Sequence, residues 1–344
     1  MDDHYNGNKL LSLKDLDRKD PELRMVWGNR QSGKTFFCKR YMVRRALNHD
    51  EPFTAFVRQK KDLANYGQGF WADVGPLAFP GKTMTQKPLL GGSAAELRVD
   101  DKMVAQVVPL YDPETIKRNS AMFAVSARGF LDEFISESKY ITNEVQKFNS
   151  IRASIARGGA KGGHSRLFPV LMCANFVTMY NPYFEYFGVD KHIDSRANFI
   201  RGHGWVLEQN FNEAAALSME ENLRTIHGKE MDYMAHNKFL LDNEKFITKL
   251  PGQKKPVMNF RHNGRRYGIW YADFVYYVST VTADGLSHDY TFNMDDHDIG
   301  DEMIPKNSDI IKAFKKCYYQ NRIVFADGAC KNAFLVICDL VEVK

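Results

Sequence analysis

An eight-residue segment constrains the fold more than anything else in the chain: Gly28-Asn29-Arg30-Gln31-Ser32-Gly33-Lys34-Thr35 matches G-x-x-x-x-G-K-[ST] at every specified position. It stands between an apolar run, Leu23 to Trp27, that reads as a short buried strand, and Phe36 to Leu47, which reads as a helix with Lys39, Arg40, Arg44 and Arg45 on its outer face. Strand, glycine loop and helix in that order aim consecutive backbone N–H groups and a helix N-terminus at one point, a setting that favours phosphate. There Lys34 reaches the β and γ oxygens of a nucleoside triphosphate, and the Thr35 hydroxyl binds Mg²⁺. Because two of the specified positions are glycine, chance seldom produces the pattern. A glycine turn that merely caps a helix is the weaker reading.

Such a loop needs a carboxylate on a neighbouring strand to hold the Mg²⁺ shell, and a group that orients water if the triphosphate is hydrolysed. Phe130-Leu131-Asp132-Glu133 supplies both, Asp132 for the metal and Glu133 for the attacking water, although Arg128 and Gly129 interrupt the apolar run before them. Pro169 to Cys173 reads as a strand running into Ala174-Asn175, which places Asn175 at a strand's carboxyl end, where ligands of open α/β sheets bind. Asn175 is the candidate sensor of the γ-phosphate. A helix over Asn143 to Ala156 then enters a glycine-rich cationic loop carrying Arg157, Lys161, His164 and Arg166. That loop could present an arginine to a phosphate or touch DNA.

Strands at Phe53 to Val57, Ala121 to Leu131 and Leu167 to Cys173 alternate with helices, so the expected class is α/β with a parallel sheet. Residues 67 to 93, rich in Gly and Pro, read as loops. Glu96 to Val99 and Val104 to Val108 read as a hairpin. Beyond residue 208 a polar helical stretch, Glu213 to His227, gives way to aromatic β-like runs at Gly268 to Thr280, Ile323 to Ala326 and Phe334 to Val343. The expected domains are therefore 1–208, a P-loop ATPase domain; 209–242, a linker or lid; and 243–344, a β-rich domain.

A chain of 344 residues with 44% hydrophobic and 26% charged composition is an ordinary globular protein, neither disordered nor fibrous. Its net charge of +5 is too small for a whole-molecule attraction to nucleic acid, so any such contact comes from local patches. Five dispersed cysteines without a C-x-x-C argue against a disulfide framework or a cysteine zinc site and fit a reducing cytosol. The acidic, polar start and the lack of a long apolar stretch support neither secretion nor a membrane span.

These residues together resemble the DNA-packaging ATPases of phi29-type tailed phages. The resemblance is carried by the glycine loop, Phe56-Val57-Arg58, the hairpin Asp101 to Leu110, Phe130 to Phe134, Ala174-Asn175 followed by Asn181-Pro182-Tyr183-Phe184, and Tyr267-Gly268-Ile269-Trp270. It implies an additional-strand P-loop ATPase domain, a small helical linker, and a C-terminal RNase H-like domain without nuclease activity. It also implies a homomeric ring, pentameric in such phages, that drives double-stranded DNA into a prohead in the host cytoplasm, joined to the portal connector or an RNA adaptor, with residues 243–344 as the part that binds nucleic acid or the prohead. Carried over residue by residue, it gives Lys34 and Thr35 on phosphate and Mg²⁺, Asp132 on Mg²⁺, and Glu133 as the catalytic carboxylate. Arg157 becomes the arginine finger acting on a neighbouring subunit, Lys60 or Lys61 the DNA grip, and Lys117 or Arg118 a second cation between subunits. Glycines inserted after Arg157 leave Arg152 and Arg166 as rival fingers.

The rivals to a motor are a terminase-like protein with a working nuclease, a scaffold that binds ATP without turnover, and a small-molecule kinase. A two-metal nuclease needs spaced acids. Asp273 and Asp339 lie in expected strands, whereas Asp295, Asp296, Asp298, Asp301 and Glu302 read as a solvated acidic turn. Lys254, Lys255, Arg261, Arg265 and Arg266, interleaved with aromatics, suit phosphate contacts.

Overall fold

The structure is a computed structural model and describes residues 21–137, 140–158, 165–175, 177, 181–192, 197–228, 231, 234–235, 250–338 and 340. These fall into two compact units, the first drawn from Met1–Ser136, Tyr140–Thr178 and His192–Leu240, the second from Glu137–Lys139, Met179–Lys191 and Leu241–Lys344.

The first unit is built on a nine-stranded sheet. Its strands are β1 (Leu23–Gly28), β2 (Phe53–Val57), β3 (Met84–Leu89), β4 (Ala94–Val99), β5 (Lys102–Pro109), β6 (Arg128–Asp132), β7 (Val170–Asn175), β8 (Phe199–Gly202) and β9 (Trp205–Asn210). They lie in the order β3-β4-β5-β2-β6-β7-β1-β9-β8. From β5 to β9 every neighbouring pair is parallel, and each edge is closed by antiparallel strands. β1, β2 and β7 are buried almost throughout, as strands covered on both faces must be. β7 stands between β1 and β6, so an additional strand separates the glycine-loop strand from the acidic strand. The outermost strand β3 exposes Lys87 and Pro88.

Helix α1 (Lys34–His49) packs its apolar side, Cys38, Tyr41, Met42 and Ala46, on the sheet. The region 67–93 is not loop: it contains α2 (Tyr66–Ala78) and β3. Its glycines and Pro76 disguise a helix whose Phe70, Trp71 and Val74 enter the main core, and that burial outweighs poor local propensity. Gly67 lies against Gln86, whose side chain accepts from Gly67 N at 2.6 Å and donates to Leu63 O at 2.7 Å. The expected strand Ala121 to Leu131 is shorter, β6 alone, preceded by helical turns α3 (Pro113–Arg118) and α4 (Ser120–Phe123). Arg128, which breaks the apolar run, is the ion-pair partner of Glu51 at 2.5 Å and bonds the Tyr41 hydroxyl at 2.7 Å. Helix α5 (Glu144–Gly158) follows as expected.

The second unit includes α6 (Pro182–Phe187), capped by the Asn181 side chain, which accepts from Phe184 N at 3.0 Å. Its six-stranded sheet contains β10 (Lys255–His262), β11 (Arg265–Ala272), β12 (Val275–Ser279), β13 (Tyr290–Thr291), β14 (Glu302–Met303) and β15 (Ile323–Phe325). Helices α8 (Asp309–Tyr319) and α9 (Gly328–Ile337) pack Ile311, Phe314 and Phe334 against Phe260, Ile269 and Phe325, while α7 (Glu213–Asn222) belongs to the first unit. The β-like reading of Phe334 to Val343 is corrected over its described part. Phe334 lies in α9, which is capped by Asp327 accepting from Cys330 N at 2.8 Å, and Cys330, Ala333, Phe334 and Ile337 make a helical stripe.

The acids also differ from expectation. Asp273 occupies the turn between β11 and β12 with φ 47°, and Asp339 lies outside the described residues. Asp301 is buried against Arg261 at 3.0 Å, Asp289 against Arg266 at 2.5 Å, and Asp296 accepts from Gly264 N at 2.9 Å. Arg261 and Arg266, read as phosphate contacts, are thus engaged by carboxylates, and Lys254 covers the Trp270 ring at 5.1 Å. Among the described residues no helix is long and apolar enough to cross a membrane.

Candidate nucleotide site

The carboxyl ends of β1, β6, β7 and β9 meet in register: Gly28 stands opposite both Asn175 and Asn210, and Asp132 opposite Cys173. Gly28 is required by space, since a Cβ there would come within 2.5 Å of the Asn210 carbonyl oxygen. Gly33 is required by conformation, with φ 86° at the entrance to α1. Between them the loop is braced by Asn29, whose amide donates to Asn212 O at 3.0 Å while its carbonyl accepts from Asn212 N at 3.1 Å. Ser32 is buried, Gln31 is exposed in left-handed backbone, and Arg30 donates its N–H to Met234 O at 3.1 Å.

Lys34 folds back into this loop. Its Nζ donates to Asn29 O at 2.7 Å, Ser32 Oγ at 3.0 Å, Gly28 O at 3.2 Å and Asn175 Oδ1 at 3.4 Å. All these partners are neutral oxygens, and burial pushes its pKa down to about 8. An enclosed ammonium surrounded by neutral acceptors suits an incoming anion. Thr35 Oγ1 lies 3.3 Å from Asp132 Oδ1, which also accepts from Glu133 N at 3.0 Å and from Cys173 Sγ at 2.9 Å. The chain turns sharply after Asp132, with Glu133 exposed at φ 52°. The structure therefore brings Lys34, Thr35, Asp132 and Asn175 together and sets Glu133 at their rim.

A family model described as Podovirus DNA encapsidation protein (Gp16) matches residues 1–341. The chain belongs to this family. The DNA packaging protein of Bacillus phage phi29 is 26% identical to it over 328 residues, covering 94% of this chain and 90% of that one. The DNA packaging protein of Bacillus phage B103 is 25% identical over 313 residues, or 89% and 90% of the two chains. In fold it is similar to a chain of the bacteriophage Phi-29 viral genome packaging motor assembly, with TM-score 0.67 and 21% identity over 98% of this chain and 99% of that one. A chain of the Phi-28 gp11 DNA packaging motor gives TM-score 0.59 and 16% identity, with 94% of each chain covered.

Two residues of this Gp16-family site escape a reading of motifs. Lys39, expected on the outer face of its helix, is buried, with Nζ 2.5 Å from Asp73 Oδ2 and 3.6 Å from Asp132 Oδ2. The signal was present, because Lys39 follows Thr35 by four positions and so shares its face of the helix. Arg58, at the end of β2, donates to the carbonyl oxygens of Glu133 at 2.8 Å and Phe134 at 3.1 Å and pairs with buried Glu144 at 3.1 Å. It thereby fixes the turn that carries Glu133.

The candidate arginines separate clearly. Arg152 pairs with Glu22 and lies over Phe148, while Arg166 donates to the carbonyl oxygens of Ala124 and Ser126 and lies over Phe168. Both rival fingers are thus used inside the unit. Arg157 is exposed in the last turn of α5, and the glycine-rich loop at 159–164 lies outside the described residues. Lys60 and Lys61 are exposed on a 3₁₀ turn, Lys60–Leu63, while Lys117 pairs with Glu114 at 2.7 Å and Arg118 is exposed at the end of α3. Among the described residues no hydrogen bond or ion pair joins these cations to the glycine loop.

The Arg58–Glu144 pair gives a stability test. Arg58→Met leaves a buried carboxylate without its cation and is expected to cost about 3–5 kcal/mol. Arg58→Met with Glu144→Met should cost clearly less, as measured by urea unfolding. Equal losses would mean that the pair's charge is not what Arg58 compensates.

Proposed function

We propose that the chain is an ATP-hydrolysing motor subunit that moves double-stranded DNA into a preformed prohead as part of a homomeric ring. The observation that carries this reading is the meeting of Lys34, Thr35, Asp132 and Asn175 at one edge of a parallel sheet, in a chain of a DNA encapsidation family. Its relatives' descriptions as DNA packaging proteins support it.

In this reading the loop from Gly28 to Thr35 wraps the phosphates with its N–H groups, and Lys34 exchanges some of its neutral acceptors for β and γ oxygens. Mg²⁺, when bound, neutralises charge on the β and γ phosphates. Thr35 Oγ1 and Asp132 would hold it. Glu133, outside that pair and exposed, accepts a proton from the attacking water, and Asn175 reports the γ-phosphate to β7. Arg58 holds the Glu133 backbone so that its carboxylate stays aimed. Arg157, with the rival arginines engaged elsewhere, extends to the γ-phosphate of a neighbouring copy. Lys60 and Lys61 contact DNA phosphates, and Lys117 or Arg118 meets an adjacent subunit. The second unit would dock on the prohead, at its portal or an RNA adaptor, in the cytoplasm of the infected cell. Engagement of Arg261 and Arg266 by carboxylates favours this docking role over a nuclease with free acids.

The deciding test is Glu133→Gln in the presence of duplex DNA and empty proheads. It should bind ATP with unchanged affinity and hydrolyse it at least about 10²-fold more slowly, and packaging should stop. Normal turnover would overturn the assignment, and loss of affinity matching the loss of rate would make Glu133 a binding residue. For Arg157 the check is a mixture of Arg157→Ala with Lys34→Ala subunits. A finger acting between copies restores part of the ATPase on mixing, whereas one acting within its own subunit restores none.

A pH dependence follows from Lys34. Its pKa in the free protein is about 8, and bound phosphates raise it. Affinity is therefore full below that value and falls as pH rises through it, by up to about tenfold per unit. Titration of a non-hydrolysable ATP analogue from about pH 7 to about pH 9.5 reads this slope, and Lys34→Met should abolish it along with most of the affinity.

A further inference from the structure

We infer that Lys39 is a positioning residue that links the Asp132 carboxylate to helix α2, and through it to the Lys60–Lys61 turn. The inference rests on reading Asp132 as the metal carboxylate and the turn as a DNA contact. It adds the connection between them.

The ammonium of Lys39 is shared. Asp73 Oδ2 lies 2.5 Å from it, Asp132 Oδ2 lies 3.6 Å away, and the Phe70 ring centroid is 5.2 Å distant. Tyr66, Phe70 and Asp73 fall at i, i+4 and i+7, so one face of α2 forms the socket for this cation. Two carboxylates and a ring face thus surround an ammonium that is otherwise buried. The Tyr66 hydroxyl is buried without a hydrogen bond, and its ring centroid lies 5.8 Å from that of Phe70. Helix α2 thus meets the Asp132 carboxylate through the ammonium that Asp73 holds.

The other end of the link is equally specific. Leu63, the last residue of the 3₁₀ turn, is buried, and the Gln86 side chain spans from Leu63 O to Gly67 N. Turn and helix are therefore fastened to each other, while Lys60 and Lys61 point outward, exposed. With a divalent cation held by Asp132, the Lys39 ammonium would be left to Asp73; with none there, Lys39 would again be shared between the two carboxylates. Each exchange alters how the Lys39 socket seats α2, and the fastened turn follows. In this way the state of the nucleotide is expressed in the grip of Lys60 and Lys61.

The experiment measures affinity for a fluorescent 30-mer duplex by anisotropy, about 30 base pairs long so that it exceeds one binding turn, in the presence of Mg²⁺ with either a non-hydrolysable ATP analogue or ADP. Wild type, Lys39→Met, Lys39→Arg, Asp73→Asn and Lys60→Ala/Lys61→Ala are compared as full-length chains, with thermal melts alongside. Wild type should show roughly a fivefold or larger difference between the two states. Lys39→Met and Asp73→Asn should bring that ratio close to one, and Lys39→Arg should retain part of it. Asp73→Asn should also raise the Mg²⁺ concentration for half-maximal analogue binding, because Lys39 then turns to Asp132 and competes with the metal. Nucleotide binding at saturating Mg²⁺ should be unchanged in that variant.

A preserved ratio in Lys39→Met and Asp73→Asn overturns the link. So does a uniform loss of DNA affinity in both states with a lowered melt, which makes Lys39 only a structural tether. If Lys60→Ala/Lys61→Ala leaves DNA affinity unchanged, the reading of the turn fails first and the link to DNA falls with it. The Mg²⁺ shift in Asp73→Asn then still reads the Lys39–Asp132 contact separately.

Discussion

The geometry of the glycine loop depends on one enclosed ammonium. Lys34 is 4% exposed and gathers the carbonyl oxygens of Gly28 and Asn29, the Ser32 hydroxyl and the Asn175 amide oxygen around a single Nζ. Because the charge has been taken out of water and given only neutral partners, the loop is held in shape by a group that gains more from an anion than from the contacts it has. The strand, the turn and the first residue of α1 are all tied to that atom, and its charge favours an anion beside it.

The second centre is Asp132. Three donors, from Thr35, Cys173 and Glu133, meet on Oδ1, while Lys39 faces Oδ2. The carboxylate is oriented from helix α1, from strand β7 and from its own turn, and the parallel order of the sheet makes this achievable: β7 lies between β1 and β6, so Cys173 and Asn175 reach both the acid and the loop. Arg58 completes the frame from β2 by holding the carbonyl oxygens immediately after the acid. Fixed donors around a charge are the kind of preorganisation that makes electrostatic contributions effective.

The glycine loop, the acidic pair and the strand ending in Asn175 were legible in the sequence because their chemistry is local: residue type and spacing decide them. Lys39 and Arg58 were less so because their partners, Asp73 and Glu144, lie on α2 and α5, far away along the chain. The sequence of α2 argues against its own conformation, with glycines at 67, 69 and 75 and a proline at 76; the burial of Phe70, Trp71 and Val74 in the main core explains the helix. The same holds for Arg261 and Arg266, whose spacing among aromatics looked like a phosphate surface until Asp289 and Asp301 were placed beside them. Interleaved residue types alone do not say which charges have already found each other.

The borders of the first sheet are also informative. One outermost strand, β3, carries an exposed lysine and an exposed proline, and the other, β8, is four residues long. A proline has no N–H to offer to an approaching backbone, a lysine resists the loss of water that pairing would need, and a strand so short presents little to pair with. The sheet is thus finished within a single chain. Any contact with a second copy would fall to side chains and loops, whose contacts can be broken and remade without unzipping a ladder of backbone bonds.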